Sequence, residues 1–268
     1  NESRILITND DGIAADGIKI LRRIANEFSN DVWEVAPEHE KSGASHALSF
    51  QNELILKNYE DKSFSVNGTP SDCVAIGISN VLKDKRPDII LSGINSGCNV
   101  GEDVTYSGTI AAAMEGLIRR IPSIAISQNY EAGKKNQISW DSSKFFLKNL
   151  LVDLTNQGWS NNVFMNINFP YCSAEKVKSI QVTTQGNRDT DDLIIDEVEA
   201  SKFRFGLRRR LEENAKLNLP PLNEGIEGYM TDVEAIANQH ISVTPFHLDL
   251  THHKSLEDLK KGLKTNLN

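Results

Sequence analysis

Cysteine is scarce in this chain. Its 268 residues include only Cys73, Cys98 and Cys172, too widely spaced for a disulfide framework or a C-x-x-C metal pair, so a reducing compartment fits best. No stretch approaches the ~20 consecutive apolar residues needed to cross a bilayer, and Asn1–Ile7 has no basic segment leading into an apolar run. These absences lead us to expect a soluble, cytoplasmic protein with no membrane partner. Basic residues are outnumbered, 29 Lys+Arg against 37 Asp+Glu, for a formal net charge of −8. Binding a nucleic-acid polymer requires a basic face that displaces counterions, so no such binding is expected. A phosphate-bearing substrate would have to be neutralised by something other than bulk charge.

Familiar phosphate and hydrolase signatures are missing too. Gly12 and Gly17 have the glycine spacing of a Walker loop, but Ile18 follows where lysine is required, and no Gly-x-Gly-x-x-Gly occurs. Gly43-Ala44-Ser45-His46-Ala47 nearly forms a nucleophile elbow, yet its last position is alanine and it follows a loop, which disfavours a serine hydrolase.

What is present reads as an ordinary globular composition, 39% apolar and 25% charged. Short apolar runs alternate with helical patterns, the signature of an α/β fold with a doubly wound, mostly parallel sheet. Strands are expected at Ile5–Thr8, Asp31–Ala36, Asp88–Leu91, Ser123–Ser127, Val163–Phe169, Ser179–Thr184 and Ile241–Pro245. Ala47–Tyr59 with Ser63–Val66 reads as a hairpin or an excursion from the sheet. Helical spacing runs through Ile18–Phe28, Ile110–Ile118, Asp141–Asn156 and Ser255–Leu263, and Thr69-Pro70-Ser71-Asp72 has the residues of a capped helix start. From Gly186 to Gly228 the sequence becomes charge-rich and aperiodic, with Arg208-Arg209-Arg210 and Pro220-Pro221. That texture suits either a subunit-contact arm or a surface excursion, and the arginine run suits a solvated face better than a nucleic-acid patch. We therefore expect a Rossmann-like catalytic domain over residues 1–185 and a C-terminal extension over 186–268, carrying an oligomerisation arm and a terminal helix.

Three loops on one sheet edge carry the chemistry. Thr8-Asn9-Asp10-Asp11-Gly12 follows the first strand, at the carboxyl edge where open α/β sheets bind ligands. Adjacent carboxylates repel unless a cation separates them or one is protonated, and a hard divalent ion is the simplest remedy. A helix-initiating turn capped by Asp11 is the other reading. Ala36–His46 adds Lys41, the Ser42 hydroxyl and His46, the last either an acid or a loop histidine with its needs met. Ser92-Gly93-Ile94-Asn95-Ser96-Gly97 brings the Asn95 amide to the same edge, in a glycine loop that either approaches a ligand or is a long turn. It leads through Tyr106 to Ser107-Gly108-Thr109 at a helix start, which is suited to a phosphate or to plain N-capping. Tyr106 could stack a base or pack internally. The nearest competitor, a haloacid-dehalogenase-like phosphatase, needs an aspartate nucleophile where this chain has Asn9.

In order, Ile5–Gly12, Ala36–His46, Asn67–Cys73, Pro87–Gly101 and Tyr106–Gly116 resemble the SurE family of metal-dependent 5′/3′-nucleotidases and acid phosphatases. Thr231-Asp232, Ser242–Pro245 and Asp249-Leu250-Thr251 resemble its C-terminal signature. The resemblance implies one divalent ion per subunit, Mg²⁺ or Mn²⁺ with Ca²⁺ as a crystal stand-in, held by Asp10, Asp11, Ser42 and Asn95. It implies phosphate contacts from Asn9, Asn95, Ser107, Gly108 and Thr109, with Asp10, Asp11 and Asn9 as the catalytic set. Nucleoside 5′- or 3′-monophosphates would be hydrolysed by water activated at the ion, in a homodimer or homotetramer. A phosphate-sensing module without turnover is the alternative. The Lys202–Pro221 stretch departs from the family pattern, which leaves oligomer state and substrate preference open.

Overall fold

In a computed structural model describing residues 3–131, 133–188, 193–199, 201–207 and 225–263, the apolar runs become the centre of a nine-stranded sheet. The first half of the chain supplies β1 (Ile5–Thr8), α1 (Asp16–Asn26), β2 (Val32–Pro37), β3 (Leu56–Glu60), β4 (Ser63–Val66), α2 (Pro70–Ile76), β5 (Ile89–Ser96), α3 (Gly108–Ile118) and β6 (Ser123–Gln128). There follow α4 (Asp141–Gln157), β7 (Val163–Phe169), β8 (Ile180–Val182), β9 (Leu193–Glu199), β10 (Lys202–Leu207), α5 (Asp232–Ala237), β11 (Ile241–His247) and α6 (Leu256–Gly262). The sheet order is β3-β4-β2-β1-β5-β6-β7-β11-β8, parallel throughout from β4 to β7. This is the mostly parallel α/β architecture expected from the sequence.

Two-sided burial explains the continuous apolar strands. Ile5 and Ile7 of β1 pack with α1 and α4 residues such as Ile18, Leu21, Leu147 and Leu151. Leu6 points the other way, to Val74 of α2 and Ala112 of α3. After β1 the chain steps to β2 on one side, and after α2 it returns to β5 on the other. The carboxyl ends of β1 and β5 thus flank the topological switch point, where ligands bind in such sheets.

Several boundaries move for physical reasons. β5 extends beyond Leu91 to Ser96, because Asn95 and Ser96 resume pairing with Ser127 and Gln128 after a register shift. Glycine is required there: Gly93 has φ +140°, and a Cβ on it would lie 2.3 Å from the Ile126 carbonyl oxygen. Only Leu56–Glu60 of the Ala47–Tyr59 run is strand, and with β4 it forms a hairpin that joins the main sheet beside β2. Asp72 explains why the preceding loop stays close. It completes the Thr69 capping box and also accepts from the Ser49 N–H and hydroxyl at 3.0 and 2.8 Å.

In the extension, β9 and β10 form a separate antiparallel pair where the sequence showed poor periodicity. Arg208–Arg210 and Pro220-Pro221 lie outside the described residues. β11 inserts between β7 and β8, so the boundary expected at 185/186 divides the sequence but not the sheet.

Candidate active site

β1 ends at Thr8, and its next residues enter the switch point. Asn9 turns the chain: its Nδ2 donates to the Gly12 carbonyl at 2.8 Å, while its Oδ1 accepts from the Gly12 N–H at 3.2 Å. With both ends of its amide on Gly12, the Asn9 side chain braces the turn that presents the two aspartates.

Asp10 is 4% exposed. Its Oδ1 accepts from the Thr109 hydroxyl at 2.6 Å, which pins it to the first turn of α3. Gly108 makes that approach possible, since a Cβ there would lie 2.8 Å from Asp10 Cβ and 3.0 Å from Pro70 Cγ. Ser107 is the N-cap of α3 and accepts from the Ile110 N–H at 3.1 Å. Burial and then the neighbouring Asp11 charge push the Asp10 carboxyl up to about 6, against the opposing hydrogen bonds from Thr109. Burial raises Asp11 as well, although its Oδ2 accepts from the Ser96 N–H at 2.8 Å.

The other expected ligands arrive by backbone contacts one residue away. The Lys41 N–H donates to the Asp10 carbonyl at 2.7 Å, which holds the loop that carries Ser42 against the backbone of the pair. The Ser96 contact with Asp11 does the same for Asn95, whose Nδ2 donates to the Gly97 carbonyl at 2.8 Å. Ser42 is exposed and donates to Glu40 Oε1 at 2.8 Å. The structure therefore brings Asp10, Asp11, Thr109 and Gly108 into direct proximity and carries Ser42 and Asn95 on the two adjoining loops. Two oxygen-bearing carboxylates, an amide and a hydroxyl suit a hard divalent cation, and the strained ionisation of Asp10 beside Asp11 is what such a cation relieves.

His46 lies further along the same loop. Its Nε2 is 3.1 Å from Glu115 Oε2 of α3, and Glu115 also binds Arg119 at 2.8 Å. The loop is stitched to the end of the glycine segment by Ser45, whose N–H and hydroxyl donate to the Tyr106 and Thr105 carbonyls. Tyr106 itself is 64% exposed, so its ring is not a packing element. Asp232 of the C-terminal signature accepts from the N–H groups of Gly101 and Gly186, tying the glycine segment to the extension.

Sequence reasoning missed Lys135, whose ammonium lies 3.9 Å from Asp11 Oδ1 and 2.8 Å from Glu40 Oε1. Its only sequence signal is position, in the loop after β6 on the same sheet edge. Thr8 and Ser92, cross-strand neighbours beneath the site, have buried hydroxyls with no hydrogen-bond partner among the described residues. A hollow of about 710 Å³ lies elsewhere, lined by Ile5, Phe28, Leu91 and Trp159 at the opposite strand ends. It is mainly apolar, and the chemistry lies with the aspartates.

A family model described as "Survival protein SurE" matches residues 5–192. A protein named 5′-nucleotidase SurE from Parvibaculum lavamentivorans is 43% identical over 266 residues, spanning 98% of this chain and 91% of that one. Another of the same name from Methylorubrum populi is 45% identical over 255 residues, spanning 94% and 96%. The crystal structure of the SurE protein from Aquifex aeolicus superposes with a TM-score of 0.77 at 34% identity, covering 96% of this chain and 98% of that one. No helix among the described residues is long and apolar enough to cross a membrane.

Proposed function

The chain belongs to the SurE family, and from that premise we propose that it is a 5′-nucleotidase, a phosphomonoesterase that hydrolyses nucleoside 5′-monophosphates to nucleoside and phosphate, with 3′-monophosphates also accepted. The observation that carries this reading is the buried Asp10–Asp11 pair at the switch point, with Asp10 pushed up to about 6 and loops bearing Ser42 and Asn95 held against it.

Asp10, Asp11, Ser42 and Asn95 would hold one divalent ion, Mg²⁺ or Mn²⁺. Such an ion, when bound, screens phosphoryl charge and makes water a better nucleophile. The chain's own groups do the rest. One carboxylate of the pair takes the proton from the attacking water. Thr109 fixes Asp10 through its 2.6 Å hydrogen bond, and the Asn9–Gly12 clasp keeps both carboxylates turned into the cleft. Asn95 and the Ser107-Gly108-Thr109 turn orient the phosphate, while Asn9, expected at the phosphate but buried with both ends of its amide on Gly12, acts through the turn it braces. Asn9 cannot become an aspartyl phosphate, which favours direct attack by water. Tyr106 at the rim offers a ring face for base stacking.

The 186–268 extension serves subunit contact in a dimer or tetramer. Its described tail leaves Leu250 at 91% and Leu259 at 57% exposure, surface that association would cover. The decisive experiment is phosphate release from AMP and GMP. We expect EDTA to abolish it and Mn²⁺ or Mg²⁺ to restore it; nucleotide binding without release, with metal present, would overturn the enzymatic reading.

A further inference from the structure

We propose that Lys135 sets the ionic specificity of this site: it is a cation supplied by the chain that competes with the divalent ion for Asp11 and receives the phosphate group of the substrate. The proposal rests on the reading of the Asp10–Asp11 pair given above.

Lys135 opens a 3₁₀ turn, Lys135–Gln137, in the loop after β6. Its Nζ donates to Glu40 Oε1 at 2.8 Å and lies 3.9 Å from Asp11 Oδ1. The same Glu40 oxygen accepts the Ser42 hydroxyl at 2.8 Å. One carboxylate oxygen thus joins the ammonium to a proposed metal ligand, while Asp11 joins it to the aspartate pair. The two anchors differ in depth. The Asp11 side chain is 8% exposed and Glu40 is 55% exposed, with Lys135 between them at 44%. The loop is braced nearby by Glu131, which binds the Lys134 ammonium at 2.8 Å and the Tyr171 hydroxyl at 3.0 Å.

Simple chemistry assigns each contact a role. A serine that donates its proton to Glu40 keeps its lone pairs available for a cation. An ammonium has three donors, of which Glu40 takes one. Repulsion between this ammonium and a divalent ion means that metal entry displaces Lys135 from Asp11. Glu40 keeps the displaced ammonium tethered at the mouth, where its remaining donors meet a compact oxyanion such as a phosphate monoester. Lys135 therefore weakens metal binding and strengthens phosphate binding. A side chain that only propped up the loop would support both.

The test uses the full chain stripped of metal. Calorimetric titration with Mn²⁺ alone gives metal affinity, and inhibition of AMP hydrolysis by orthophosphate at saturating Mn²⁺ gives phosphate affinity. Lys135→Met is expected to bind Mn²⁺ about three- to tenfold tighter and to raise the phosphate inhibition constant by a similar factor, the size of a partly screened charge interaction. Lys135→Arg keeps the charge and should leave both within about twofold of wild type. Unchanged or weaker Mn²⁺ binding by Lys135→Met, or unchanged phosphate inhibition, overturns the proposal. If the wild-type chain binds no Mn²⁺, or Asp10→Asn binds it as well as wild type, the metal reading fails and this proposal fails with it.

Discussion

At the entrance to β1, Arg4 is 9% exposed, and its guanidinium is held by Asp31 at 2.7 Å, Asp84 at 2.9 Å and the Lys85 carbonyl at 2.8 Å, with the Trp33 ring 5.6 Å away. At the exit, Asp10 is 4% exposed beside another carboxylate. Both ends bury charge, but they resolve it oppositely. Partial burial works to raise Asp31, yet hydrogen bonds from Arg4 and Trp33 overcome it and hold the carboxyl at about 2. Burial and Asp11 push Asp10 up to about 6. Charge satisfied within the chain fixes β1 in the sheet; charge left in surplus at the carboxyl edge calls for a ligand from outside.

The sharpest way to break this contrast is to neutralise each end in turn. Asp10→Asn should cost hydrolysis ~10²–10⁴-fold, the range for a lost acid–base group, without lowering the melting temperature of the metal-free chain. The amide can still accept the Thr109 hydroxyl, and the repulsion with Asp11 is gone. Mn²⁺ should raise the melting temperature of wild type and leave Asp10→Asn unmoved. An Asp10→Asn chain with full activity would remove the proposed site. Arg4→Met should do the reverse, costing about 1–2 kcal/mol of stability through the lost hydrogen bonds to the partly covered Asp31 carboxylate while leaving kcat of the folded fraction unchanged. Chemical denaturation and steady-state kinetics on the same preparation measure both.

Gly108→Ala sharpens the comparison by disturbing position while preserving charge. The new Cβ would lie 2.8 Å from Asp10 Cβ, and overpacking of this kind costs about 1–3 kcal/mol. Hydrolysis should fall further than stability alone accounts for, because the displaced atom belongs to Asp10. Equal kcat for wild type and variant would mean that the contact between α3 and Asp10 does not position the carboxylate.

The central strands were legible because their residues are apolar on both faces, as in Ile5-Leu6-Ile7, and the Thr69–Asp72 helix start because a capping box is local. The convergence of the Asp10, Ser42 and Asn95 loops was legible for a topological reason: parallel strands carry their following loops to one edge. Lys135 was not, since its meaning depends on a loop folding back to Glu40, 95 residues away. Asn9 was expected at the phosphate, and the short-range clasp that occupies both ends of its amide on Gly12 required knowledge of the turn's geometry. The position of β11 between β7 and β8 was hidden for the same reason as Lys135, because strand order at long separation leaves no mark in local periodicity.

The smallest effect lies at the satisfied end and tests the contrast through pH. Asp31 titrates near 3.8 when unperturbed and at about 2 in the fold. A carboxyl depressed by folding stabilises the folded state above its unfolded pKa, and the contribution is lost as pH falls through the folded value. Wild type should therefore exceed Asp31→Asn in stability by on the order of 1 kcal/mol above pH ~4, a figure reduced for solvent screening at this partly exposed group. The difference should shrink below pH ~4, be mostly lost near pH ~2 and vanish only below that. Denaturant titrations of the two chains between pH ~5 and ~2 measure it. A gap that stays constant across that window would mean that Asp31 acts through shape and hydrogen bonding alone, and the entrance to β1 would no longer count as a charge-balanced counterpart to the aspartate pair at its exit.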